Sequence, residues 1–152
     1  MEEYLRPEIE QNSGIMNKIT AFAERLAADK YFPYKLLGLA LAVRLIFTLL
    51  HLKVYLIADM IGYNEAANSL LNDLELRVKG SVSGTRPPLY PLFMAGIYYI
   101  FGQSFLAVRL IQAVIGAVST ILVLRIGQEM FDRRTASLAA LIYALYPAAW
   151  FM

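Results

Sequence analysis

The chain has 152 residues, 59% of them hydrophobic, with a mean hydropathy of +0.52 and a formal net charge of +2. Ordinary soluble domains carry roughly 45–50% apolar residues, so this composition points to the membrane class, and so small a net charge does not suggest nucleic-acid binding, which needs a basic face. With no cysteine in the sequence, disulfide, thiolate-nucleophile and cysteine–zinc chemistries are closed.

The amino end, MEEYLRPEIE, is acidic and about thirty residues precede the first apolar run, so no cleavable signal peptide is expected. Ile15, Ile19, Phe22 and Leu26 recur at helical spacing beside Lys18, Glu24, Arg25 and Asp29. Two readings stand for residues 1–33: an amphipathic cytoplasmic tail lying on a membrane surface, or a solvated helix.

Residues 34–57 form the first long apolar run, about 36 Å as a helix and enough to cross a hydrocarbon core of roughly 30 Å. At about 100° per residue from Arg44, Thr48 falls at about 40°, His51 at about −20°, Tyr55 at about 20° and Asp59 at about 60°, one narrow polar stripe with Lys53 opposite. An arginine within a span costs roughly 2.5–3.5 kcal/mol on insertion scales unless it meets a partner or water. The stripe is therefore expected to face protein or a wet cavity. His51 has no further metal ligands at recognisable spacing.

Beyond Asp59, Tyr63, Ala67, Leu70 and Leu74 repeat at helical spacing among polar residues and predict a short helix parallel to the membrane. The segment RVKGSVSGT predicts a mobile loop and lacks the Gly-Lys-Ser/Thr of a P-loop. Pro87, Pro88 and Pro91 suit a first helical turn, where backbone N–H groups have no intrahelical partner. The helix they start, 89–101, reaches only about 20 Å and is placed in the outer interface, with a shortened span as the competing reading. Tyr90, Tyr98 and Tyr99 would suit an interface as amphipathic rings. Residues 105–126 predict a second span with small residues Ala113, Gly116, Ala117 and Ser119, and 135–152 a third.

With the amino end cytoplasmic, that side holds Arg6, Lys18, Arg25, Lys30, Lys35, Arg125, Arg133 and Arg134, against Lys53, Arg77, Lys79 and Arg86 outside. The expected architecture is thus all-α and multi-pass, with interfacial helices in an outer loop, 58–104, and a plasma (inner) membrane location. Because LAALIYALYPAAWFM ends within apolar sequence, further transmembrane helices of a longer parent chain are expected as partners.

Asp59 and Arg86 share the outer face in this topology. Asp59 has three possible roles: an N-cap contributing about 1 kcal/mol, a base taking a proton from an acceptor, or an oxygen ligand for a divalent cation. Arg86 is either a solvated loop charge or headgroup contact, or a phosphate clamp, since a guanidinium fork matches phosphate oxygens and the next helix turns its positive dipole end the same way.

The stretch from Arg86 to Pro147, beginning RPPLYPLFMAGIYYIFGQ, resembles the amino-terminal part of the GT-C class of integral membrane glycosyltransferases, most closely the protein O-mannosyltransferase and aminoarabinose transferase group. DMIGY is similar to that group's aspartate-x-x-x-tyrosine signature after the first span. The resemblance implies transfer of a sugar from a polyprenyl-phosphate carrier to an extracytoplasmic acceptor, with inversion at the anomeric carbon. It implies Asp59 as the catalytic aspartate that activates the acceptor, Arg86 as a contact to the carrier phosphate, and Tyr63 as a residue shaping the pocket. Relatives of the aminoarabinose type carry charged residues where this chain has Met60, Gly62 and Thr85, so the cofactor, including any divalent cation, and the subgroup stay open. The alternative function is a small non-catalytic multi-pass scaffold or assembly protein. A transporter fragment would show broken helices, and 105–126 has no such break.

Overall fold

A computed structural model describes the backbone of residues 2–50, 58–73, 77–78, 81–82 and 87–146, and the side chains of 14–50, 60–73 and 87–146. The described residues form six helices: α1 (Glu2–Ala28), α2 (Phe32–Leu50), α3 (Ala58–Asp73), α4 (Leu89–Phe101), α5 (Phe105–Met130) and α6 (Arg133–Leu145). A two-residue antiparallel ribbon, β1 (Arg77–Val78) and β2 (Ser81–Val82), pairs Arg77 with Val82 and Val78 with Ser81. Among the described residues the protein is all-α apart from this ribbon, which lies where the glycine- and serine-rich sequence suggested a mobile loop.

Among the described residues two helices, Phe32–Leu50 and Phe105–Met130, are long and apolar enough to cross a membrane. Their 19 and 26 residues correspond to about 28 and 39 Å. Large apolar side chains stay exposed along both, among them Ile46 and Leu49 of α2 and Val114, Val118 and Leu122 of α5, as a lipid-facing surface requires. His51, Tyr55 and the remainder of the predicted first span lie outside the described residues.

The chain divides into two compact units. In the first, Met1–Phe47 with Ala113–Met152, the core is built of Phe32, Leu36 and Ala40 from α2, Ala117 and Leu124 from α5, and Ala136, Ala140 and Ala144 from α6. Alanine at every fourth position of α6 gives a smooth strip that lets neighbouring backbones approach closely. Asp132 starts α6 by accepting the N–H groups of Arg134 and Thr135 at 3.0 and 3.4 Å. The turn from α1 to α2 is tied by the Asp29 carboxylate, which accepts from the Tyr31 N–H at 2.8 Å and from Lys35 Nζ at 2.6 Å.

In the second unit, Thr48–Gln112, α3 packs on α4. The buried positions of α4, Pro91, Met94, Ala95, Ile97 and Tyr98, follow helical periodicity and meet Ala67 of α3 and Val108 of α5. Proline at the third residue of α4 removes only an N–H that would be unsatisfied there in any case. Gly102, at φ 73°, ends the helix in the left-handed region that favours glycine. Ser104 Oγ then accepts the Ala107 N–H at 3.3 Å to begin α5.

Candidate active site

Asp59 and Tyr63 both belong to α3. Asp59 lies within α3 next to Ala58, where the described range of the helix begins. Tyr63 follows one turn later, about 6 Å along the axis.

The half-buried Tyr63 ring meets the Tyr90 ring of α4 edge to face, with centroids 5.1 Å apart and planes at 88°. Such a pair contributes about 0.5–1.5 kcal/mol beyond its area. Tyr90 is held from two other directions: it stacks on Phe93 at 6.2 Å, and its hydroxyl accepts a hydrogen bond from Gln112 Nε2 at 3.2 Å. On the next residue of α3, Asn64 Oδ1 accepts from the Tyr98 hydroxyl at 2.8 Å. One turn further, Asn68 Oδ1 accepts from Gln103 Nε2 at 2.6 Å.

These contacts join the segment that begins with Asp59 to the segment that follows Arg86. Tyr63 lies four residues after Asp59 and Tyr90 four residues after Arg86. Arg86 itself lies outside the described residues, as does the side chain of Asp59. Among the described residues, no group of three His, Asp or Glu side chains could hold a metal ion.

The sequence suggested Tyr90, Tyr98 and Tyr99 as a common set of interfacial rings, and the structure separates them. Tyr99 is exposed, whereas Tyr98 is buried on Asn64 and Tyr90 is half-buried on Tyr63. A phenol hydroxyl can enter a packed interface only with a partner, and Asn64 and Gln112 supply partners. The pairing of Asn64 with Tyr98 and of Gln112 with Tyr90 has no local sequence signal, because each joins residues of different helices.

In the first unit, Arg44 is 3% exposed, and Thr48, one turn along the same stripe but counted with the second unit, is also buried. The guanidinium lies in protein: Nη1 donates to the Ala40 carbonyl at 3.1 Å, and the group lies 5.9 Å from the centre of the Tyr143 ring of α6. Its Nε and Nη2 have no hydrogen-bond partner. A cavity of about 330 Å³ in this unit is lined by residues that include Lys30, Phe32, Gln128 and Arg133, and by none from α3 or α4.

No curated protein and no solved structure matches the chain. A family model does: residues 85–152, from the residue before Arg86 through α4, α5 and α6, match the dolichyl-phosphate-mannose-protein mannosyltransferase family. Residues 85–152 are thus similar to a GT-C type mannosyltransferase, and the two apolar helices are consistent with an all-α membrane protein.

Proposed function

We propose that the chain provides the acceptor-activating and phosphate-binding elements of a membrane glycosyltransferase that uses a polyprenyl-phosphate sugar. The observation that carries this reading is the Tyr63–Tyr90 contact, since it ties the turn bearing Asp59 to the helix introduced by Arg86. The family match over residues 85–152 supplies the reaction class.

In this reading an acceptor hydroxyl, amine or amide attacks the anomeric carbon of the carrier-linked sugar. A bond forms from acceptor to anomeric carbon as the bond from that carbon to the phosphate oxygen breaks, with inversion. The acceptor's proton passes to the Asp59 carboxylate, and the negative charge left on the lipid phosphate is stabilised by the Arg86 guanidinium. Tyr63, braced by Tyr90, shapes the wall between them. The site belongs to the extracytoplasmic side of the plasma membrane, because eight basic residues then fall inside and four outside.

The test is transfer from radiolabelled polyprenyl-phosphate mannose in membranes containing the full-length protein. Asp59→Asn is expected to reduce transfer by about 100-fold or more, with expression and melting temperature unchanged. Retained turnover removes the base assignment, whereas no transfer by the unsubstituted protein favours the non-catalytic scaffold.

A further inference from the structure

One face of the amino-terminal helix is absorbed neither by the core nor by the proposed reaction. In α1, Ile15, Ile19 and Phe22 remain 49%, 46% and 48% exposed although they share one side of the helix. At about 100° per residue, these three and Leu26 fall within about 60° of one another, and Lys18 and Arg25 border them on one edge. Both basic residues are exposed.

A different side of α1 carries its contact with α6. Ala23 is buried there, and Glu24 on the far face pairs with Arg134 at 2.8 Å. Ile15, Ile19 and Phe22 are thus left over after α1 has docked, while Leu26, at the end of the stripe, packs against the core. The tie at Asp29 leads directly into α2, so the end of the stripe meets the start of a helix long enough to cross a membrane. Tyr31 and Tyr34 project there, 62% and 74% exposed, as aromatic residues do at a lipid–water boundary. Lys30 and Arg133 continue the basic rim around the cavity of about 330 Å³, whose lining also includes Asp29. That carboxylate is occupied by Lys35 and the Tyr31 N–H. The acidic residues Glu2, Glu3, Glu8 and Glu10 all precede the stripe.

We infer that residues 14–28 of α1 form an in-plane membrane anchor, with Ile15, Ile19 and Phe22 inserted below the headgroups of anionic phospholipids and Lys18 and Arg25 on their phosphates. An apolar stripe bordered by cations fits an anionic bilayer surface, where such helices lie about 5–10 Å into the headgroup and acyl boundary. The inference requires a membrane-embedded protein but not the sugar-transfer reaction, so it stands or falls separately.

The cysteine-free sequence permits a direct test. The full chain, carrying a nitroxide on a single cysteine at position 15, 19, 22 or 17, is reconstituted in vesicles of mixed phosphatidylglycerol and phosphatidylcholine. Collision rates with oxygen and with a water-soluble nickel complex are then measured. The expected result is high oxygen and low nickel accessibility at 15, 19 and 22, and the reverse at Asn17. Lys18→Gln and Arg25→Gln are each expected to lower the inserted fraction relative to the lifted fraction by about fivefold, and vesicles of phosphatidylcholine alone should do the same more strongly. Equal nickel accessibility at all four positions overturns the proposal in favour of a solvated helix. Low accessibility to both reagents at 15, 19 and 22 overturns it in favour of contact with a second copy, and insertion indifferent to lipid charge removes the role of Lys18 and Arg25.

Discussion

A methyl group placed on Gly116 of α5 would lie 2.6 Å from Nε of Arg44 on α2. The glycine is what leaves room for a guanidinium inside the first unit. Arg44 cannot easily retreat, being buried with Nη1 held by the Ala40 carbonyl. Gly116→Ala is therefore expected to destabilise the protein by about 1–3 kcal/mol, the usual range for overpacking. Arg44→Met relieves that clash and also removes two buried nitrogens without hydrogen-bond partners, so it should be close to neutral or stabilising. Melting temperatures in detergent for both single variants and the double variant check this: the double should recover most of the loss, and strictly additive effects would contradict the packing described.

The contact between Tyr63 and Tyr90 should couple α3 to α4. Tyr90→Phe keeps the ring pair and removes the hydrogen bond from Gln112, a loss of about 0.5–1.5 kcal/mol. Tyr90→Ala removes the ring contact as well and should open the α3 amides to hydrogen exchange. A double-mutant cycle of Tyr63→Ala and Tyr90→Ala should give a coupling of about 0.5–1.5 kcal/mol; zero coupling would separate the two segments.

Acid should loosen the start of α6 before the rest of the helix. The Thr135 hydroxyl, beyond what slight burial opposes, and the N–H groups of Thr135 and Arg134 hold the Asp132 carboxyl below its ordinary 3.8. A depressed carboxyl contributes stability that is fully present above the ordinary value and is lost as pH falls through the folded value. Amide protection at Arg134 and Thr135 should accordingly decline as pH drops below about 3.8. In Asp132→Asn, which keeps an acceptor at the cap without titrating, that pH dependence should vanish. A persistent acid dependence would place its origin elsewhere.

Removing the proposed phosphate clamp should act on the carrier. For Arg86→Ala, KM for polyprenyl-phosphate mannose is expected to rise, and kcat to fall about 10-fold or more, because the lost charge stabilises the leaving phosphate as well as the bound one. Steady-state transfer over a range of carrier concentrations checks both constants. Unchanged KM together with unchanged kcat would return Arg86 to the solvated loop.

Local signals carried much of the fold into view. Pro88 and Pro91 at one end and Gly102 at the other bracket α4 at Leu89–Phe101, the range read from the sequence, because each acts on its own backbone. Asp132 marks the start of α6 in the same way, two residues earlier than the apolar pattern alone suggested. The ribbon pairing Arg77 with Val82 escaped notice because two-residue strands leave no periodicity to detect. The burial of Arg44 was legible as a polar stripe on an apolar helix, but its seat against Gly116 was not, since 72 residues separate the two. The same holds at the candidate site. Asp59 and Tyr63 could be picked out by spacing, whereas the contact that brings Tyr63 to Tyr90 depends on how α3 packs against α4.

The most direct measurement is whether positions 59 and 86 face one another in the folded protein. Asp59→Cys and Arg86→Cys, introduced together into the cysteine-free chain, should be joined by a short bifunctional thiol reagent added from the extracytoplasmic side of intact cells, and polyprenyl phosphate should slow the joining. If each cysteine is labelled singly from that side but no cross-link forms, or if the two react only from opposite sides, then no common site exists for the carboxylate and the guanidinium and the transferase account is wrong.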